Sequence, residues 1–470
     1  MSATIFHNAL VLPVADNAPE WFAGWLSVDD SGRIDGLGEG APPDDPAAAY
    51  HDLDGCFLAP GFISAHSHIY TGGMRGVAAS SPLYEWVSTN SRMLLGADAE
   101  DLYWLSLAGA LDHISSGITS VYNFTQSRVI SLFDYASSTL KAERVHPPEF
   151  VTRQVDGLAA SGIRFVTSVR LDDEQLGEDA ALAGFDAVMR HLDTIDPGQN
   201  LGGSVYGAVQ WSSSADTAAR ELATMRRYGI TNQAHFVETA EQLDVQQSKF
   251  DWYDRAGVLG PDFIFGHFVH PTERMVTRVR DSGSAMVWQP MSNGRLGSGI
   301  ADVPGLLDAG VTVGMGVDDQ SCTDLSDPFE NMRTGMFVQR AVRSDPGALT
   351  PAQLLTLHTR GSATAIGVAD RVGSLAVGKL ADLVVVDPAS PDTGPIWDPV
   401  ATYVLACGLR NLREVFIGGT RAWARDHADG IRAEADAELS ERMIRSAAQS
   451  GIRPAVVKTG AAVRGDTSPS

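Results

Sequence analysis

Apolar and polar positions along this chain fall into two textures. Over the first sixty residues, short strand-like runs, "ATIFHNALVLPV", "GWLSVDDSGRIDGLG" and "AYHDLDGCFLAPGF", are separated by turn formers. From about residue 61 onward, apolar runs such as "GITSVYNF", "GIRFVTSVRL", "GSVYGAVQW", "GITNQAHFVE", "DFIFGHFVH", "GSAMVWQP" and "VTVGMGVDD" alternate with helical stretches. "DAEDLYWLSLAGALDHISSG" and "TAARELATMRRYG" show apolar spacing of three to four, and each closes on Gly. With "GFISAHSH" in front, eight strands are counted, the number a (β/α)8 barrel requires. A doubly wound open sheet would place a Gly-rich dinucleotide turn early in the chain, and none is present. Short strands return after about residue 370 in "GSLAVGKLADLVVVDP" and "LREVFIGGTRAWARD".

The pattern therefore predicts an α/β protein. A (β/α)8 TIM barrel spans 61–365, and a small β-sandwich is assembled from both chain ends, 1–60 and 366–430. Residues 431–470 open as an amphipathic helix, "AEADAELSERMIRSAAQSG", and end in "TGAAVRGDTSPS", whose composition predicts disorder.

A length of 470 residues agrees with one large domain and a smaller one. The balance of 35 Lys+Arg against 58 Asp+Glu gives a formal charge of −23, which argues against nucleic acid or an anionic membrane as partner. Cys56, Cys322 and Cys407 are widely spaced with no CxxC, as in a reduced cytoplasmic protein. The amino terminus shows no basic region followed by a long apolar core, and no stretch has the length of a membrane span. The expected partner is a small molecule, and the expected assembly a homo-oligomer, dimer or higher, of unspecified subunit number.

The candidate chemistry begins at "PGFISAHSHIYTGG". On a strand, His66 and His68 project from one face, which suits two ligands of one metal ion. A pair of half-buried histidines bonded to backbone would read the same. The other strand ends decide between them. His235, His267 and Asp318 also close predicted strands, and catalytic groups of such barrels gather at the carboxyl ends of strands. Three histidines and a carboxylate, His66, His68, His235 and Asp318, thus converge by topology. Asp319 is a close rival one residue of register away; Asp318 is preferred because it directly follows "VGMGV". Glu238, three residues past His235, is placed to shuttle protons between water and leaving group. A helix N-terminal charge is its plainer reading. His267 suits a fifth ligand, an electrophile or a hydrogen-bond donor behind the ligands.

"APGFISAHSH", "HFVETAEQ", "GHFVHPTE", "PMSNGRLGSGIADVPGLLDAGVTVGMGVDD" and "VGSLAVGKLADLVVVD", in that order over nearly the whole chain, resemble the metal-dependent amidohydrolase superfamily. The resemblance is to the branch holding cytosine, guanine and S-adenosylhomocysteine deaminases and the triazine hydrolases. It implies metal ligands at His66, His68, His235 and Asp318, with Glu238 and His267 handling the proton and polarising the substrate, and Asp318 counted among the catalytic groups. It also implies a barrel joined to a small β-sandwich. Many superfamily members hold two metals bridged by a carboxylated lysine on the fourth strand. "GSVYGAVQW" offers neither Lys nor Glu, so one divalent metal per subunit is expected. Zinc is the default for three imidazoles and a carboxylate, with iron, manganese or cobalt compatible.

One departure bears on the substrate. Where deaminases of this branch read "HCPxSN", this chain has "VWQPMSN", with Trp288 and Gln289 in place of His and Cys. Together with Trp86 and Trp211 these are the expected substrate-binding residues; Tyr70, Met74, Asn123 and Phe124 are further cleft candidates. The group predicts an apolar or aromatic substrate. The expected activity is hydrolysis, by a metal-held hydroxide, of an acyl C–N or C–S bond in a urea, carbamate or amide, such as a phenylurea or thiocarbamate herbicide-like compound. The alternative is deamination or dechlorination of a purine, pyrimidine or triazine ring.

Overall fold

The computed structural model describes residues 4–389, 393–427, 430–459 and 462–465. Five strands precede the barrel: β1 (Thr4–Val11), β2 (Phe22–Val28), β3 (Ile34–Glu39), β4 (Ala49–Asp52) and β5 (Phe57–Pro60). The barrel strands are β6 (Phe62–His68), β7 (Ile118–Phe124), β10 (Arg164–Val169), β11 (Asn200–Gly207), β12 (Thr231–Phe236), β13 (Phe263–His267), β14 (Ala285–Trp288) and β15 (Thr312–Met315), with the short β16 (Asp318–Asp319) continuing the last. Between β7 and β10 lies a hairpin, β8 (Val129–Asp134) and β9 (Thr139–Val145).

The parallel sheet runs in the order β15-β14-β13-β12-β11-β10-β7-β6-β16. Its last segment pairs on both sides, Met315 with Trp288 and Asp318 with Ser67, so the curled sheet returns to its first strand. Such strands are covered on both faces and read as near-continuous apolar runs. On β14 the alternation is explicit. Ala285 and Val287 pack with Ile63, Tyr122 and Ile264, whereas Met286 and Trp288 pack outward with Phe265, Phe329 and Met336.

The strands expected from both chain ends form one mixed sheet with β17 (Leu383–Val386), β18 (Leu412–Ile417) and β19 (Thr420–Ala424), in the order β19-β18-β17-β5-β1-β2-β3. The small β unit expected from both chain ends is one hydrogen-bonded sheet that forks at β1, with which β4 and β5 both pair in parallel. The buried ion pair of Arg164 with Asp382, at 2.7 and 2.8 Å, ties this sheet to the barrel.

Two helices after β6 shape the site. α1 (Leu83–Met93) and α2 (Ala99–Ile114) follow one another, and α2 opens on a reciprocal capping box between Asp98 and Asp101. The C-terminal helix Gly430–Ala448 lies on α2, where Arg442 Nη1 is 2.9 Å from the buried carboxylate of Asp101. Part of the tail expected to be disordered is paired: β20 (Val456–Thr459) and β21 (Ala462–Gly465) form a short antiparallel hairpin. Residues 466–470 of that tail lie outside the described residues.

Candidate active site

The ends of three barrel segments, β6, β12 and β16, bring the predicted ligands together. His66 Nε2 and His68 Nε2 each lie 3.1 Å from His235 Nε2. Asp318 Oδ1 is 3.3 Å from His66 Nε2 and 3.7 Å from His68 Nε2. All four residues are buried. Asp319 stands farther off, its Oδ2 3.8 Å from His68 Nε2. His267 Nε2 faces the same point, 3.9 Å from Asp318 Oδ2 and 3.5 Å from Glu238 Oε2.

The backbone is bent at these strand ends. Val237, His267, Phe268 and Asp318 all have positive φ, 46°, 66°, 46° and 63°, a costly conformation for residues with a Cβ and one that clusters at functional sites. Gly316 is required by close approach, because a Cβ there would stand 2.7 Å from the His66 backbone nitrogen and oxygen.

The cluster fits a divalent cation. His66 Nδ1 meets Gln233 Oε1 at 2.5 Å, and Gln233 Nε2 donates to Ala65 O at 3.0 Å, which fixes the amide. His66 Nδ1 therefore carries the proton, and its Nε2 offers a lone pair to the cluster. Asp318 Oδ1, buried and without a hydrogen-bond partner among the described residues, points to the same place. His66, His68 and Asp318 form one group of donors within 4.8 Å of one another and His66, His235 and His267 another, and the two share His66 in a single divalent metal site of a kind that suits zinc.

Burial favours the neutral form of the His68, His235 and His267 rings, as metal binding requires. It lowers His68 and His267 to about 3, against the opposing pull of Asp318, and drives His235 well below the usual range. Burial also pushes the Glu238 carboxyl well above its ordinary value, and the Asp318 charge adds to this. Burial likewise raises Asp319, with Asp318 beside it. For Asp318 burial acts upward, but His66 and His267 outweigh it and hold the group ionised.

The site opens into a cavity with an empty volume of about 930 Å³, solvent at its mouth included. Trp86, Trp211 and Tyr70 line it with His68, His235, Glu238, His267, Asp318 and Asp319. Trp288 and Gln289 do not. The pleat of β14 turns Trp288 outward, where it is 1% exposed and meets Gly335 of the helix Pro328–Arg343. Gln289 is fully buried, and its Oε1 accepts from the His267 backbone N–H at 3.0 Å. It holds a site residue instead of touching substrate. Four residues on, Asn293 Nδ2 is 2.9 Å from His267 Nδ1. Met74, Asn123 and Phe124 also lie outside the lining; Phe124 stacks on His68 with centroids 5.0 Å apart, and Asn123 Oδ1 accepts from Ile69 N.

Sequence reasoning missed Tyr84, Arg170 and Tyr206, together with the hairpin β8–β9, whose Val129, Ser131 and Leu140 form one cavity wall. The alternation in "VISLF", followed by the turn formers of "DYASST", was the available signal for the hairpin.

A model of the amidohydrolase family matches residues 57–422. The chain is 28% identical over 428 residues to a 5-methylthioadenosine/S-adenosylhomocysteine deaminase of Syntrophobacter fumaroxidans, covering 88% of this chain and 91% of that protein. It is 31% identical over 255 residues to an S-triazine hydrolase of Gordonia rubripertincta, covering 54% of this chain and 53% of that one. Among solved structures, an adenosine deaminase from Xanthomonas campestris with bound zinc superposes with a TM-score of 0.80 at 21% identity, over 94% of this chain and 98% of that chain. At these identities the structural likeness shows the fold.

Proposed function

The chain belongs to the amidohydrolase family, and on that premise we propose that it is a hydrolytic deaminase of an amino-substituted nitrogen heterocycle of purine or triazine type. Metal-dependent hydrolysis of a C–N bond is the chemistry of the family and of this donor set. The observation that carries the finer reading is Glu238. It is 2% exposed in the cavity lining, its carboxyl pushed well above its ordinary value by burial and by the Asp318 charge. A ring amine is a poor leaving group unless it is protonated, and a carboxyl at this place can take a proton from water and return it to the departing nitrogen.

His66, His68, His235 and Asp318 would hold the metal, which supplies a Lewis acid and water acidified toward neutral pH. In the reaction the bond from a ring carbon to its exocyclic amino nitrogen breaks, a C–O bond to water forms at that carbon, and the amino group leaves as ammonia. Glu238 takes a proton from the water and delivers it to the departing nitrogen. His267, fixed by Asn293 and by the backbone contact to Gln289, holds the incoming oxygen or the ring nitrogen through Nε2. Trp86, Trp211, Tyr84 and Tyr206 supply aromatic walls suited to a planar ring.

Hydrolysis of a urea, carbamate or thiocarbamate would use the same groups. The deaminase reading is favoured because relatives aligned over about nine-tenths of their length include proteins described as 5-methylthioadenosine/S-adenosylhomocysteine and 5'-deoxyadenosine deaminases. The reading includes a cytoplasmic location, supported by three buried, unpaired cysteines. It also includes a homo-oligomer, for which the exposed Phe337 and Val342 of the helix Pro328–Arg343 are the candidate contact. The test is a mass-spectrometric screen of the zinc-loaded enzyme against aminopurines, aminotriazines, ureas and carbamates. Ammonia with the hydroxy or oxo ring is the expected product pair. An alkyl or aryl amine from a urea, with no ammonia from any ring, would overturn the reading.

A further inference from the structure

One face of α1 lines the cavity along its whole length: Leu83, Val87 and Asn90, with Trp86 beside Val87 and Leu94 at the C-cap, follow at spacings of three and four. At 1.5 Å per residue this wall runs for roughly 16 Å, longer than a single heteroaromatic ring. The wall adjoins the metal cluster through Ser321, two residues past Asp319: Trp86 Nε1 donates to Ser321 O at 3.3 Å and, one turn on, Asn90 Nδ2 donates to Ser321 Oγ at 3.5 Å. Its Leu94 end packs with Met93, Ile130 and Met443. Val129, Ser131 and Leu140 of the hairpin face it, and the hairpin is fastened to α1 by Tyr84 stacked on Phe133 at 3.9 Å and by the Phe133 N–H donating to Ser88 Oγ at 3.2 Å.

Two polar atoms in these apolar walls have no hydrogen-bond partner among the described residues, Asn90 Oδ1 and Ser131 Oγ. Their residues are 7% and 6% exposed, and both line the cavity. A buried acceptor left unpaired is costly, whereas one that pairs on ligand binding gives discrimination. Asn90 Oδ1 needs a donor, and Ser131 Oγ can give or accept.

We propose that this arm is a subsite for a flexible, mainly apolar substituent of the substrate that ends in a neutral hydroxyl group. The inference rests on the reading above, in which the reacting ring occupies the metal end. A hydroxyl donates to Asn90 Oδ1 and accepts from Ser131 Oγ, matching both. An ammonium end would enter an apolar arm whose α1 and hairpin lining residues include no carboxylate to pair with it.

The test uses a matched set of ring amines carrying butyl, 4-hydroxybutyl or 4-aminobutyl chains. Binding to the zinc-loaded Glu238→Gln enzyme is measured by calorimetry, so that turnover plays no part. The hydroxybutyl compound is expected to bind about tenfold or more tightly than either partner, a difference that is lost in Asn90→Leu and in the milder Ser131→Ala. Equal binding of the set, or a preference that survives both substitutions, overturns the proposal. Failure of the deaminase reading shows separately, as ring amines that release no ammonia or do not bind at all. In that event 1-hexanol, offered alone, decides the arm. It must raise the Tm of the wild-type enzyme more than that of Asn90→Leu, and equal shifts overturn the subsite.

Discussion

Gln233 Oε1 lies 2.5 Å from His66 Nδ1, on the side of the ring facing away from the other ligands. Because Gln233 Nε2 is engaged with Ala65 O, the amide cannot turn over, and the ring is held with its Nε2 lone pair toward His68, His235 and Asp318. Loss of such a partner typically costs 10- to 100-fold in metal affinity or activity. Gln233→Leu is therefore expected to weaken zinc binding by roughly that factor, read by competition with a chromogenic chelator, while His66→Ala loses the metal altogether. Unchanged zinc affinity in Gln233→Leu would show that the ring needs no holder.

Glu238→Gln keeps the shape of the side chain but cannot accept and return a proton. The variant is expected to retain one zinc per subunit and its fold, while kcat falls by about 10²- to 10⁴-fold. KM should change far less, as when an interaction made only in the transition state is lost. Steady-state kinetics with metal analysis checks this. A near-wild-type rate would move the proton transfer to Asp319, the other cavity carboxyl raised by burial.

Asn293 and His267 form a second held pair, 2.9 Å apart. Asn293→Leu frees the ring to rotate or change tautomer without touching a metal ligand, so kcat is expected to drop by roughly tenfold or more with zinc content unchanged. His267→Ala should lose more, even for substrates with excellent leaving groups. If Asn293→Leu matches the wild type in kcat, the ring is positioned by Gln289 and the backbone alone.

Away from the cavity, His113 and His358 are fully buried, and burial lowers both to about 4. His358 is satisfied as a neutral ring, with Nδ1 3.1 Å from Ile63 O and Nε2 3.1 Å from Asn331 Nδ2. In the unfolded chain these rings take up protons near pH 6.5, in the folded chain only near 4, so between those values the unfolded state binds more protons. Stability is thus expected to be complete above pH 6.5 and to fall as pH drops toward 4. Calorimetric Tm values across that range check the sign, and a flat profile would mean that both rings protonate in place.

Much of this was legible before any coordinates. The eight apolar runs became the barrel strands because a parallel strand covered on both faces must be apolar nearly throughout, and local sequence records that. His66, His68, His235 and Asp318 were legible for a related reason. Strand ends can be located from the pattern, and a barrel carries all its carboxyl ends to one rim. Trp288 was misplaced by one step of the pleat: its identity signals a large aromatic group, but only the register of β14 between β13 and β15 decides whether it faces the barrel axis or the helices. The hairpin β8–β9 went unassigned, since an insertion breaks the strand–helix rhythm from which the rest was inferred.

The sequence by itself determined the fold class, the bringing together of strands from both chain ends in a small β unit, and the strand ends at which the histidines and carboxylates gather, because each depends on periodicity or on where an element ends. Tertiary structure alone decided what those side chains touch. Gln233 behind His66, Asn293 behind His267, and Asn90 and Ser131 in the walls of one cavity lie far apart or unremarked along the chain. Their relationships arise only when strands and loops distant in sequence close around a common space, and no local pattern of apolar and polar residues encodes a distance across it.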